Sequence, residues 1–251
     1  MSKRITLLFA IVFALAAGSA FAADQVKGPF SGAVHAAFAL TDRTGSPISG
    51  NWDRGKITSL SDTSITLTRR DKAQVSFAIT SDTAVRNDGA TYHLSDLKTG
   101  LVATVVSQGG NAEVIRNIRG DGAPGGADQS EFEGPAAKAI TGSVAATYYD
   151  GTNQTFDYNR GRIQSVGNGQ MTIMRADKQS VSFTYDSTTL VREGDGTVGS
   201  VDDLKVGEGA MFFSQGGLLK LVRCVHDAPS PQATGSRPVR PALAPALAPA
   251  Q

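Results

Sequence analysis

Cysteine is almost missing from these 251 residues. Cys224 stands alone, which excludes an internal disulfide and a zinc site of the multi-cysteine kind. Stability must therefore come from burial. Histidine is as scarce, at His35, His93 and His226. None stands near another in sequence, so a metal site would need the fold to gather all three. Neither sign of charge dominates, with 24 Lys and Arg against 23 Asp and Glu. Nucleic-acid binding is disfavoured, because it usually needs a basic surplus to neutralise phosphates. An anionic membrane surface exerts no pull either. No nucleophile elbow, phosphate loop or zinc-protease motif is present. Aromatics are few, whereas Gly, Ser and Thr are plentiful, a balance that suits short strands with many turns.

The one long apolar run is at the start. Lys3 and Arg4 precede a stretch from Ile5 to Ala17 that is apolar but for Thr6, then Gly18-Ser19-Ala20-Phe21-Ala22. This is the pattern of a secretory signal cleaved after Ala22. The run is short for a membrane anchor, which takes about 20 residues. Removing residues 1–22 takes the basic count from 24 to 22 and the formal net charge to −1. The expectation is a periplasmic or extracellular protein with no membrane span in its mature form.

The rest of the chain is duplicated. The stretch NWDRGKITSLSDTSITLTRRDKAQVSFAITSDTAVRN from Asn51 aligns without a gap on DYNRGRIQSVGNGQMTIMRADKQSVSFTYDSTTLVRE from Asp157. About fifteen of the paired positions match, far above chance for segments this short. After one extra residue in the second copy, DLKTGLVATVVSQGG from Asp96 pairs with DLKVGEGAMFFSQGG from Asp203, and Arg116 and Arg223 close the match. Upstream, SGAVHAAFAL and TGSVAATYYD each read as a first strand. Copy one spans residues 27–119 and copy two 134–227. A Gly-rich linker, 120–133, separates them, and a Pro/Ala-rich tail that cannot support a core occupies 228–251.

Period-two alternation dominates both copies. Ile65 and Leu67 alternate with threonines, and Val75, Phe77 and Ile79 with Ser76, Ala78 and Thr80; Met171 and Ile173, then Val181, Phe183 and Tyr185, repeat this. Each set puts apolar groups on one face and mostly small or hydroxyl side chains on the other, as half-buried strands require. Polar segments from Arg69 to Lys72 and from Arg175 to Lys178 predict hairpin turns. The Asp-Leu-Lys-x-Gly segments predict one helical turn each. Ser95 is placed to cap the first, Leu97 and Leu204 to point inward, and Gly100 to leave with positive φ. Two further strands finish each copy. The expected class is all-β: two tandem small antiparallel β-barrels of about five or six strands, each with a short helical turn, since closure removes exposed edges. A small sandwich is the alternative.

Strand, hairpin, T-x-V-R, then Asp-Leu-Lys-x-Gly and another strand resembles the bacterial exported family catalogued as domain of unknown function 5666. The matching residues are Thr83, Val85, Arg86, Asp96, Leu97, Lys98 and Gly100, and in copy two Thr189, Val191, Arg192, Asp203, Leu204, Lys205 and Gly207. The resemblance covers about two thirds of each copy. It implies a small barrel resembling the oligonucleotide/oligosaccharide-binding fold, and it supplies no catalytic residues. The chain departs from the family pattern at Arg54-Gly55-Lys56-Ile57, which replaces a Gly-x-Val opening, and in an extra upstream hairpin.

Candidate binding residues come in matched pairs. Arg54 and Arg160, Arg69 and Arg175, and Arg86 and Arg192 form a duplicated arginine set that could grip an anionic glycan or a carboxylate. The alternative is local pairing, as of Arg69 with Asp71. Trp52 and Tyr158 are matched rings that could stack on a sugar or cover the end of a small core. Cys224 aligns with Asn117, so no nucleophile is required there. Asp203 is better explained by the helical turn than by catalysis. The expectation is a non-enzymatic module, without cofactor, metal or nucleic acid, that binds an envelope protein or cell-surface polysaccharide. The alternative is an enzyme or metal-handling protein with a site between the barrels.

Overall fold

The computed structural model describes residues 28–87, 90–91, 93–119, 134–193 and 197–224. The expected leader, linker and tail, and His226, lie outside them. The described residues are all-β, with short 3₁₀ turns and no α-helix. No helix among them is long and apolar enough to cross a membrane.

Copy one contributes β1 (Ala33–Asp42), β2 (Pro47–Leu60), β3 (Ser64–Arg69), β4 (Gln74–Ala78), β5 (Ala84–Asn87), β6 (Ala90–Thr91), β7 (Val102–Gln108) and β8 (Asn111–Arg119). Copy two repeats the order as β9 (Ala139–Tyr148), β10 (Asn153–Gly167), β11 (Gln170–Arg175), β12 (Ser180–Thr184), β13 (Leu190–Arg192), β14 (Val198–Gly199), β15 (Gly209–Gln215) and β16 (Leu218–Cys224). The predicted hairpins are β3–β4 and β11–β12. Their turns put Lys72 and Lys178 at positive φ. Thr66 and Ser76 join hydroxyls across the outer face at 2.8 Å, and Thr172 and Ser182 at 3.0 Å.

Two expectations need correction. The sheet is mixed rather than antiparallel: β5 runs parallel to β8, and β13 to β16. The T-x-V-R threonine anchors this arrangement, since Thr83 Oγ1 donates to the Ala112 carbonyl at 2.6 Å and Thr189 Oγ1 to that of Leu219 at 2.9 Å. The first 3₁₀ turn, Leu94–Asp96, is capped from His93, with Ser95 inside it; the His93 N–H donates to Asp96 Oδ2 at 2.9 Å. In copy two Ser200 holds that place and its N–H donates to Asp203 Oδ2 at 2.9 Å. Leu97 and Leu204 leave these turns buried, and Gly100 and Gly207 both take φ 94. The first strands keep the offset of the strands they pair with: Ala37 pairs with Asn51 and Ser143 with Asp157, so Ser143 is the counterpart of Ala37.

In copy one the pairings β2–β3–β4–β8–β7 lead back to β2, and β10–β11–β12–β16–β15 lead back to β10 in copy two. Each circuit encloses its own apolar cluster. Ile57, Ile65, Leu67, Phe77, Val105 and Ile115 fill the first. Ile163, Met171, Ile173, Phe183, Phe212 and Val222 fill the second.

The copies are not beads on a string. β1 pairs antiparallel with β9, so one sheet runs through both. A third cluster sits between the copies and draws on both. Phe30, ahead of β1, meets Phe156 and Phe213 of copy two edge-on, at 5.1 and 5.0 Å. The reciprocal segment, the 3₁₀ turn Gly134–Lys138, packs on β2 and β8 of copy one. Its buried residue is only Ala136, and copy one supplies the larger ring, Trp52, where copy two has Tyr158.

Candidate functional site

The β1–β9 register fixes what lies beside what. Asp42 opposite Ala139 sets the turn after β1 against the start of β9; Ala33 opposite Tyr148 sets the turn after β9 against the start of β1. Each juxtaposition walls one groove. The groove on copy one, about 550 Å³, runs over β2 and β3 and is lined by Arg54, Lys56, Arg69, Arg70 and Lys72, with Gly32–Val34 along its side. The groove on copy two, about 740 Å³, is lined at the matching positions by Arg160, Arg162 and Arg175, with Lys138. Asp42, Arg43 and Thr44 of copy one complete its wall.

Both grooves are basic although the chain is near neutral. The side chain of Asp42 is occupied by its own turn: Thr44 donates through its hydroxyl and its N–H, each at 2.7 Å, and Ser46 through its N–H at 3.0 Å. The Thr44 hydroxyl, then these N–H groups, hold the Asp42 carboxyl below the usual range. Arg160 donates to the Ala137 carbonyl at 2.6 Å and Arg162 to that of Gly207 at 3.0 Å. For Arg160 the carbonyl orients the guanidinium without cancelling its charge. At the rim of the first groove, the Arg70 guanidinium lies 4.1 Å from the centre of the Tyr149 ring.

Gly55 and Gly161 let the strands close behind these cations. A Cβ on Gly55 would lie 2.7 Å from the Thr68 carbonyl oxygen, and one on Gly161 2.6 Å from that of Met174. The Arg-Gly dipeptide shared by the copies is thus a strand-packing device beside a groove cation.

Beneath each groove lies a matched polar set. In copy one Asp53, 3% exposed, receives Arg69 Nη1 at 2.9 Å, and His35 Nδ1 lies 3.0 Å from the same oxygen. Arg69 also donates to Asp71 at 2.8 and 3.2 Å. Burial opposes the Arg69 charge, but its hydrogen bonds to Asp53 and Asp71 outweigh it and raise its pKa. In copy two the same positions hold neutral groups: Thr141 Oγ1 and Arg175 Nη1 both donate to Asn159 Oδ1 at 3.1 Å. Arg175 keeps its carboxylate, Asp177, at 2.6 Å.

Of the residues singled out from sequence, Arg54 and Arg160 line the grooves, whereas Arg86 and Arg192 lie outside them. Trp52 and Tyr158 are 2% and 0% exposed and belong to the cluster between the copies. Tyr158 packs on Phe213 at 5.4 Å. Burial drives its phenol pKa well up. Cys224 is buried in the copy-two core, its thiol pushed up to about 12 by burial and then by Glu193. Among the described residues no three His, Cys, Asp or Glu side chains are grouped to hold a metal. Arg43, Lys138 and Arg70 were not legible as site residues, because their repeat counterparts are Tyr149, Gly32 and Ala176. Only the register between the copies brings them to a groove.

The chain matches no protein-family model and no curated protein.

Proposed function

We propose that this is an exported, non-enzymatic module of two tandem small β-barrels that binds an acidic cell-surface polysaccharide along its two basic grooves. The observation that carries the reading is the repetition of one groove chemistry on both copies. Arg54 and Arg160 occupy equivalent places, backed by the Arg69 and Arg175 sets. Open, shallow, cationic grooves suit a chain of carboxylate-bearing sugars, because guanidinium groups pair with carboxylates through directed hydrogen bonds. Two related sites on one rigid frame let weak contacts combine through effective concentration. The closed pairing circuits and the T-x-V-R and Asp-Leu-Lys-x-Gly elements support the barrel reading and the likeness to the domain of unknown function 5666. The leader pattern supports export to the periplasm or beyond.

The test is thermal unfolding of the mature chain, residues 23–251, with polygalacturonate, its methyl-esterified neutral form, peptidoglycan fragments and divalent metals. A ligand specific to the folded state at 100 times its Kd adds about 2.7 kcal/mol. The expected result is a saturable rise with polygalacturonate and none with the ester. A shift with the metals alone would replace this reading with metal handling.

A further inference from the structure

We infer that the copy-two groove is a composite oxyanion site, in which Arg43 of copy one is a specificity-determining residue for a carboxylate-bearing chain bound mainly by copy two. The inference rests on the acidic-polysaccharide reading and deepens it.

The antiparallel β1–β9 pairing delivers Arg43 to this groove, since Asp42 is opposite Ala139 and the chain turns immediately afterwards. The turn is rigid: Asp42 accepts three hydrogen bonds from Thr44 and Ser46, and Gly45 N–H closes on the Asp42 carbonyl at 3.1 Å. Arg43 is therefore carried on a fixed support, and its side chain is exposed. Across the groove stand Lys138 and Arg160, neither with a carboxylate partner among the described residues. Three cations from two copies thus face one space beside a single lining carboxylate, Asp42, whose hydrogen bonds go to its own turn and whose charge acts on Arg43.

The other groove is built differently at the same positions. The counterpart of Arg43 is Tyr149, whose ring stacks on Arg70, and the counterpart of Lys138 is Gly32. Arg70 has no equivalent in copy two, where Ala176 lines the wall. Both rim cations are exposed, and Arg70 lies against an aromatic ring, but only the copy-two groove draws its cations from both copies.

A double-mutant cycle in the full mature chain tests this, with polygalacturonate titrated by calorimetry and its methyl ester as the uncharged control. Arg43→Gln is expected to weaken binding about ten-fold, the scale of one charge-assisted hydrogen bond. It should couple with Arg160→Gln and add independently with Arg54→Gln. An unchanged melting temperature in Arg43→Gln would show that the exposed turn is intact. Wild-type affinity in Arg43→Gln, or equal coupling with Arg54→Gln and Arg160→Gln, overturns the composite site while leaving polysaccharide binding in place. Failure of the wild-type chain to bind polygalacturonate overturns the acidic-polysaccharide reading, and the composite site with it.

Discussion

At the scale of single residues, the two copies act as internal controls for each other. Copy two holds Asn159 where copy one holds Asp53, with an arginine donating to each. Asp53→Asn should therefore leave the fold intact, with melting close to wild type. Asp53→Ala removes one of the two acceptors of a partly buried guanidinium and should cost about 1–3 kcal/mol in denaturant unfolding. Equal losses from both substitutions would show that copy one depends on the carboxylate charge that copy two lacks at this position. Gly55→Ala and Gly161→Ala each drive a Cβ toward a backbone carbonyl that cannot rotate away, so both should lower stability even though alanine stiffens the unfolded chain. The turn carboxylates set a pH dependence. Burial would raise the Asp71 carboxyl, but the Arg69 hydrogen bonds and the Ala73 N–H outweigh it; for Asp177 the hydrogen bond from Arg175 comes first. Both folded pKa values lie below the unfolded ones. Their stabilisation is complete above the ordinary carboxylate range and is lost as pH falls through the folded values. Melting temperature should drop on acidification over that window, and less so in Asp71→Asn and Asp177→Asn proteins.

At the scale of strands, alternation was a reliable guide because each core strand has one wet face. Ile65, Leu67 and Phe77 turn inward, and the intervening hydroxyl side chains pair across the outside. Phe77→Ala and Phe183→Ala should each cost about 3–5 kcal/mol, read by chemical denaturation. Parallel pairing was not legible, since β5 and β13 are very short and are placed by a threonine hydroxyl rather than by a pattern of their own. The first strands share little sequence, so their alignment is set by pairing with β2 and β10.

At the scale of the molecule, duplication produced one body with an internal pseudo-symmetry. Phe30 reaches into the aromatic cluster of copy two, and the β1–β9 pair makes the sheet continuous. The mature chain should therefore unfold in one cooperative transition by calorimetry. Phe30→Ala should separate it into two, by opening the cluster that couples the copies. The sequence shows the repeat but not this coupling, because its contacts join positions with different residues in the two copies: Phe30 and Ala136, Trp52 and Tyr158. The same limit hid half of the groove. Arg54 and Arg160 stand out as a repeated pair, whereas Arg43 and Lys138 acquire meaning only once β1 lies on β9. The most direct test of the central claim is calorimetric titration of the mature chain with polygalacturonate, in wild type and in the Arg54→Gln, Arg160→Gln double variant. Saturable binding that the double variant loses, at unchanged melting temperature, is the predicted result; a double variant that binds as tightly as wild type would contradict it.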